Sequence, residues 1–217
     1  TKTPAIPAQT AKAYEMYLAT MTDSPNRLEV TLNLADVLMD SKRYLESGHR
    51  YRQAAELLAV EIAKPYEPPK PKVEKPADSK QAKKPVLPKK KKPKSRKKKK
   101  KPVDPRKVYA ANKKKYIEQR RDALYNAVLA YQHSLDAKGA RTYLERATSR
   151  AGLRMAGGLF LAEKKINKDK VQKIKFAIAK SFYDEGNFNE AIDLLTAVAY
   201  EYPNTKQGYA AVHMILD

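Results

Sequence analysis

The sequence predicts an all-α fold, and three observations carry that expectation. Apolar residues recur every three or four positions through most of the chain, as at Ile174, Ile178 and Phe182, which sets them on one helical face. No run alternates apolar and polar residues with the β-branched content of a strand. Turn formers and a proline punctuate the periodic runs, as at Asp184–Asn187 and Pro203.

Charge divides the 217 residues into three parts. Residues 1–63 are helical in pattern, 64–105 form a Pro/Lys-rich tract, and 106–217 are helical again. Between Lys64 and Lys107 lie 20 Lys or Arg against 4 Asp or Glu, so this stretch carries most of the net charge of +21. It also holds 10 of the 14 prolines. Frequent proline forbids a helix, and unopposed lysines repel one another. The tract is therefore expected to be an extended, disordered insertion with polyproline II character. Because loop-closure entropy grows slowly with length, one helical stack tolerates such an insertion.

In chain order, Thr31–Leu57 reads as two helices. Leu34, Ala35 and Leu38 form one stripe; Tyr44, Ser47, Gly48, Tyr51 and Ala54 form the next. Arg121–Leu135 is a further amphipathic helix, with Leu124, Val128 and Tyr131 along one face. Glycines at 139, 152, 157 and 158 are expected to mark helix ends. Ala156–Gly158 then reads as a turn, and Leu153–Lys165 as helix or helix plus turn. In Lys180–Thr205, Gly186 ends one helix and Phe188, Ala191, Ile192, Leu195, Val198 and Ala199 form the stripe of the next. Tyr209, Val212 and Leu216 open another helix with the same spacing. None of these helices is long enough to be stable alone in water, so each is expected to bury its stripe against a neighbour. Tyr44, Tyr51, Phe182 and Phe188 are expected in the core.

The stretch containing Ile178, Ala179, Phe182, Gly186, Phe188, Ala191, Ile192 and Pro203 resembles the tetratricopeptide repeat (TPR), a helix pair recurring about every 34 residues. Small residues at Ala179 and Ala191 suit the close helix crossing. The early pair fits the same template, except that Lys42 stands where the turn glycine is expected. The resemblance implies an α-solenoid of stacked antiparallel helix pairs. Starting without Met and ending in half a repeat, the chain reads as a fragment or processed form, and the stack is expected to continue past Asp217 in the natural protein or in its partner.

In such a solenoid the first helices line a concave groove that takes partner proteins. The resemblance places Glu29, Leu32, Asp36 and Met39 in it from the early pair, and Lys173, Phe176, Lys180 and Tyr183 from the late pair. Asn33 is isolated and the early groove is acidic, so a clamp for a partner's terminal carboxylate is not expected. "YEYPNTKQGYAA" and "SPNRLEVTLNLADVL" further resemble TPR proteins of the bacterial cell envelope, including outer-membrane lipoproteins and gliding-motility components. That resemblance implies a periplasmic or outer-membrane-associated setting, with nucleus or cytoplasm as the alternative.

Chemistry leaves little trace. With no cysteine, disulfides, thiolate metal sites and cysteine nucleophiles are excluded. His49, His133 and His213 have no ligand spacing. Ala156–Gly158 lacks the trailing Lys-Ser/Thr of a phosphate loop. No catalytic residue, metal or cofactor is expected, and no apolar run is long enough to span a bilayer. For the tract three readings stand: a solvated spacer, a nuclear import signal, or a polyanion-binding arm. The arm would consist of Lys89, Lys90, Lys91, Lys92, Lys94, Arg96, Lys97, Lys98, Lys99, Lys100 and Lys101, contacting an anionic polymer or an acidic protein. The function expected is thus a non-enzymatic scaffold for protein–protein interaction. The alternative is a nucleic-acid or other polyanion-binding protein with the repeats as its docking platform.

Overall fold

The computed structural model describes residues 5–68, 104–137 and 142–217. Among these the regular structure is helical: α1 (Ala5–Thr20), α2 (Arg27–Asp40), α3 (Tyr44–Ala63), α4 (Pro105–Asp136), α5 (Tyr143–Leu161), α6 (Lys168–Tyr183), α7 (Phe188–Glu201) and α8 (Lys206–Leu216). Local chemistry sets several of the starts. Asp104 accepts a hydrogen bond from the Arg106 amide at 2.9 Å, and Pro105 takes the first turn of α4, where its missing N–H costs nothing. Thr142 and Glu145 form a reciprocal capping box at α5. Asn167 caps α6 and Thr205 caps α8.

Packing follows chain order. Each helix packs against the next from α1 to α8, and α3 also meets α5, α4 meets α6, and α6 meets α8. Three apolar clusters lie along this row. Ala11, Leu18, Leu34 and Leu38 join α1 to α2. A larger cluster runs from Ala35, Tyr51 and Ala55 through Leu124, Val128 and Tyr131 to Leu153, Phe160 and Ile174. Ala179, Ala191, Leu195, Val198 and Ala211 join α6, α7 and α8. Helices on the two sides of the basic tract therefore share one core. The flanks of the tract also meet: Tyr109 Oη donates to the Lys64 carbonyl at 2.8 Å, and the Tyr66 and Tyr109 rings stand edge to face at 5.4 Å.

The two hairpins α2/α3 and α6/α7 share one turn. Lys42 and Gly186 both have positive φ, 61° and 84°. Arg43 N–H donates to Leu38 O at 2.9 Å, and Asn187 N–H donates to Phe182 O at 3.0 Å. The following helix opens alike in both, with Ser47 N–H on Arg43 O and Ala191 N–H on Asn187 O. Lysine thus occupies the left-handed position where a glycine is expected, and the backbone pays the Cβ clash that glycine avoids.

Several expectations need correction. Gly152, Gly157 and Gly158 lie inside α5 and end no helix, so Ala156–Gly158 is not a turn. Two of them are there for space. The Tyr131 ring is fully buried and lies over Gly48 of α3 and Gly152 of α5, where a Cβ would meet ring carbons at 2.8 Å and 2.4 Å. A Cβ at Gly157 would meet the Ile178 side chain at 2.9 Å. Gly158 faces open space, and nothing in the structure explains it. Gly139 falls outside the described residues. The helix around Arg121–Leu135 extends much further back, to Pro105.

On α8 the buried positions are Gly208 and Ala211, with Met214 and Ile215 packed beside them. Tyr209, Val212 and Leu216 are exposed, at 60%, 44% and 79%. The close approach of Gly208 to the Tyr202 carbonyl sets this rotation of the helix, since a Cβ there would lie 2.0 Å from the oxygen. Phe188 and Ile192 are likewise exposed rather than core, at 53% and 42%. The Phe188 ring stands edge to face with Tyr183 at 5.4 Å. Ala191, Leu195 and Val198 carry the burial of α7 instead.

Candidate partner-binding groove

A groove of about 590 Å³ runs between α2 and α4. From α2 it is lined by Leu28, Glu29, Leu32, Asn33 and Asp36; from α4 by Lys115, Tyr116, Gln119, Asp122 and Asn126. Tyr51 of α3 reaches it from below, and its hydroxyl donates to Asp36 Oδ1. Burial raises the pKa of this phenol, and the hydrogen bond to Asp36 adds to the rise. Asp122 is held at 3.2 Å by Lys170 of α6. Glu29 and Lys115 form no ion pair with any described residue. Three carboxylates, three side-chain amides, two tyrosines and one lysine thus face a channel whose apolar patches include Leu28 and Leu32. Such a surface accepts hydrogen-bond donors and cations.

Arginine pairs tie later helices of the row to one another. Arg120 and Arg121 of α4 both reach Glu163 after α5, Arg121 at 3.8 Å. Arg150 and Arg154, one turn apart on α5, donate to the carbonyls of Asp184 and Ser181 at 2.8 Å and 3.0 Å. These carbonyls belong to the end of α6, where cationic donors are favoured. Arg154 also lies 3.8 Å over the Phe182 ring and pairs with Glu185.

No family model matches the chain, and comparison with curated proteins and with solved structures likewise yields no match. The site is therefore read from its own chemistry.

Of the residues expected in a groove, Glu29, Leu32 and Asp36 line this one. Met39 turns away and packs against the large core cluster. The late set is not gathered in the same way. Phe176 and Tyr183 pack against the cluster of Ala179 and Leu195. Lys180 pairs with Asp184 at 2.6 Å, while Lys173 is exposed and forms no ion pair with any described residue. The basic series Lys89, Lys90, Lys91, Lys92, Lys94, Arg96, Lys97, Lys98, Lys99, Lys100 and Lys101 lies outside the described residues.

The α4 wall went unrecognised in the sequence. Its signal was a polar stripe, Lys115, Gln119, Asp122 and Asn126, spaced four, three and four positions apart. This stripe runs beside the apolar face of Leu124, Val128 and Tyr131. A second hollow, of about 510 Å³, adjoins the flanks of the tract and shares Tyr116 with the groove. Among the described residues, no His, Cys, Asp and Glu cluster could hold a metal, and no helix is long and apolar enough to cross a membrane.

Proposed function

We propose that the chain is a non-enzymatic, TPR-like scaffold: an α-solenoid whose first helices form a concave surface for a partner polypeptide. The groove between α2 and α4 is the observation that carries this reading, because it joins alternate helices of the row and combines apolar, amide and carboxylate groups in one channel. The matching turns at Lys42 and Gly186 support the repeat, and so does packing confined to neighbouring and next-neighbouring helices. The envelope setting rests on the resemblance of Tyr200–Ala211 and of the stretch around Pro25.

The test is site-specific photo-crosslinking in cells of the source organism. A benzophenone side chain at Leu32 or Gln119 is expected to give adducts with one polypeptide. The same group at Met155, exposed on α5 and outside the groove, is expected to give none. Equal labelling at all three positions, or none at the groove, overturns the reading.

A second reading is polyanion binding by the tract. It is favoured by the concentration of charge between Lys64 and Lys107 and by the meeting of its two flanks, which presents the insertion from one place. Deleting residues 69–103 is then expected to abolish salt-sensitive retention on heparin. Unchanged retention assigns the tract to a spacer.

A further inference from the structure

The groove has a charge and a spacing that point to a class of occupant. We propose that the α2/α4 groove takes an extended peptide of a partner, in the polyproline II conformation, with lysine or arginine at every third position. This names the ligand of the scaffold reading and rests on it.

Charge comes first. Asp122 is already paired with Lys170, but Glu29 and Asp36 still outnumber Lys115 in the lining, and Lys115 ion-pairs with none of the three carboxylates. Asp36 spends one oxygen on Tyr51, and among the described residues neither its other oxygen nor Glu29 has a partner. A basic ligand is therefore favoured and an acidic one repelled.

Spacing comes second. Glu29 and Asp36 stand seven positions apart on α2, on the same face and about 10.5 Å apart along the axis. In polyproline II, three residues per turn at a rise of about 3.1 Å put every third side chain on one edge, about 9.3 Å apart. A β-strand repeats on one face at about 6.8 Å or 13.6 Å, and fits less well.

Backbone chemistry comes third. A polyproline II segment makes no internal hydrogen bonds, so its carbonyls need donors. Asn33 lies between the two carboxylates on α2, and Gln119 and Asn126 face it from α4. Leu28, Leu32 and Tyr116 offer the apolar and aromatic surface on which proline rings pack.

The test is fluorescence anisotropy on the full chain at 50 mM salt. The probe is a labelled octapeptide, Pro-Pro-Lys-Pro-Pro-Lys-Pro-Pro. Controls are a peptide with its two lysines adjacent and one with glutamate in place of lysine. The spaced-lysine peptide is expected to bind more tightly than both. Glu29→Lys, a charge reversal at an exposed residue whose variant is checked for an unchanged helical circular-dichroism spectrum, is expected to weaken it about fivefold, and Asp36→Asn by less. Raising salt to 500 mM is expected to weaken it further.

Equal affinity for the three peptides, or no response to Glu29→Lys, overturns the proposal. So does binding that emerges only after Lys89–Lys101 is replaced by glycine and serine, since the occupant is then this chain's own tract. Groove cross-links that persist while the peptide fails leave the scaffold reading standing; loss of both removes it.

Discussion

The hairpins α2/α3 and α6/α7 begin from one turn geometry and end in different surroundings. At the position after the turn helix begins to pack, the early hairpin has Gly48, buried under the Tyr131 ring of α4. The equivalent position of the late hairpin is Ile192, 42% exposed. Tyr44 is half-buried, with its ring against His133 of α4, whereas its counterpart Phe188 is 53% exposed. The early pair is covered by α4 and α5, which supply a ring and need a flat surface to receive it. The late pair meets only α8 on its far side. A shared helix-turn-helix pattern thus sets the local shape, and the neighbour decides which of its side chains become core.

The largest expected effect breaks the covered side. Tyr131→Ala removes the ring that α3, α4 and α5 share, and is expected to destabilise by about 3–5 kcal/mol in urea unfolding. Phe188→Ala on the uncovered side is expected to cost under about 1 kcal/mol. Equal losses would erase the contrast.

Glycine substitutions sharpen it. Gly152→Ala drives a methyl into the Tyr131 ring and is expected to cost about 1–3 kcal/mol. In a Tyr131→Ala background that cost is expected to vanish, because the clash partner is gone. Gly158→Ala, facing open space, is expected to stabilise by up to about 1 kcal/mol through helix propensity. A loss at Gly158 would show that α5 is packed on a side where the fold leaves it open.

The shared turn offers a reciprocal pair. Lys42→Gly relieves a left-handed lysine and is expected to stabilise by about 0.5–1 kcal/mol, while Gly186→Ala is expected to destabilise by about as much. Thermal melts of both variants check whether the two turns are energetically alike.

The smallest effect concerns His49, whose ring stands edge-on to Tyr131 at 5.7 Å. Its partial burial, then Arg52 and Arg50, hold its pKa below the ordinary 6.5. A lowered histidine pKa means that the unfolded chain takes up the proton first. The stability His49 contributes is therefore complete above pH 6.5 and is lost as pH falls through its folded value. Melting temperatures between pH 7.5 and 5.5 are expected to fall slightly less in His49→Gln than in the parent.

The hairpins were legible because their signals are local. Leu34, Leu38, Leu195 and Val198 repeat with helical spacing, and Gly186 marks a turn by its own backbone freedom. The groove was legible only on its α2 side, where Glu29, Leu32 and Asp36 share a face. Its α4 side required knowing that α4 returns beside α2 across the tract, and no local pattern records that. Glycines 152 and 157 were misread for the same reason. In sequence a glycine signals a helix end, but here Tyr131 and Ile178 arrive from other helices and need the vacant Cβ. The rotation of α8 was hidden likewise, since its inward face follows from the approach of Gly208 to the Tyr202 carbonyl.

Periodicity and composition were sufficient to specify helices, the helix-pair turns and the concentration of positive charge between Lys64 and Lys107, because these depend on neighbours along the chain. Which glycines are contact surfaces, which stripe of α8 faces inward, and that the helices on both sides of the tract share one core came from packing. Those outcomes depend on atoms brought together from distant positions: Tyr131 between Gly48 and Gly152, and α4 laid against α3 with Tyr109 bonded to the Lys64 carbonyl.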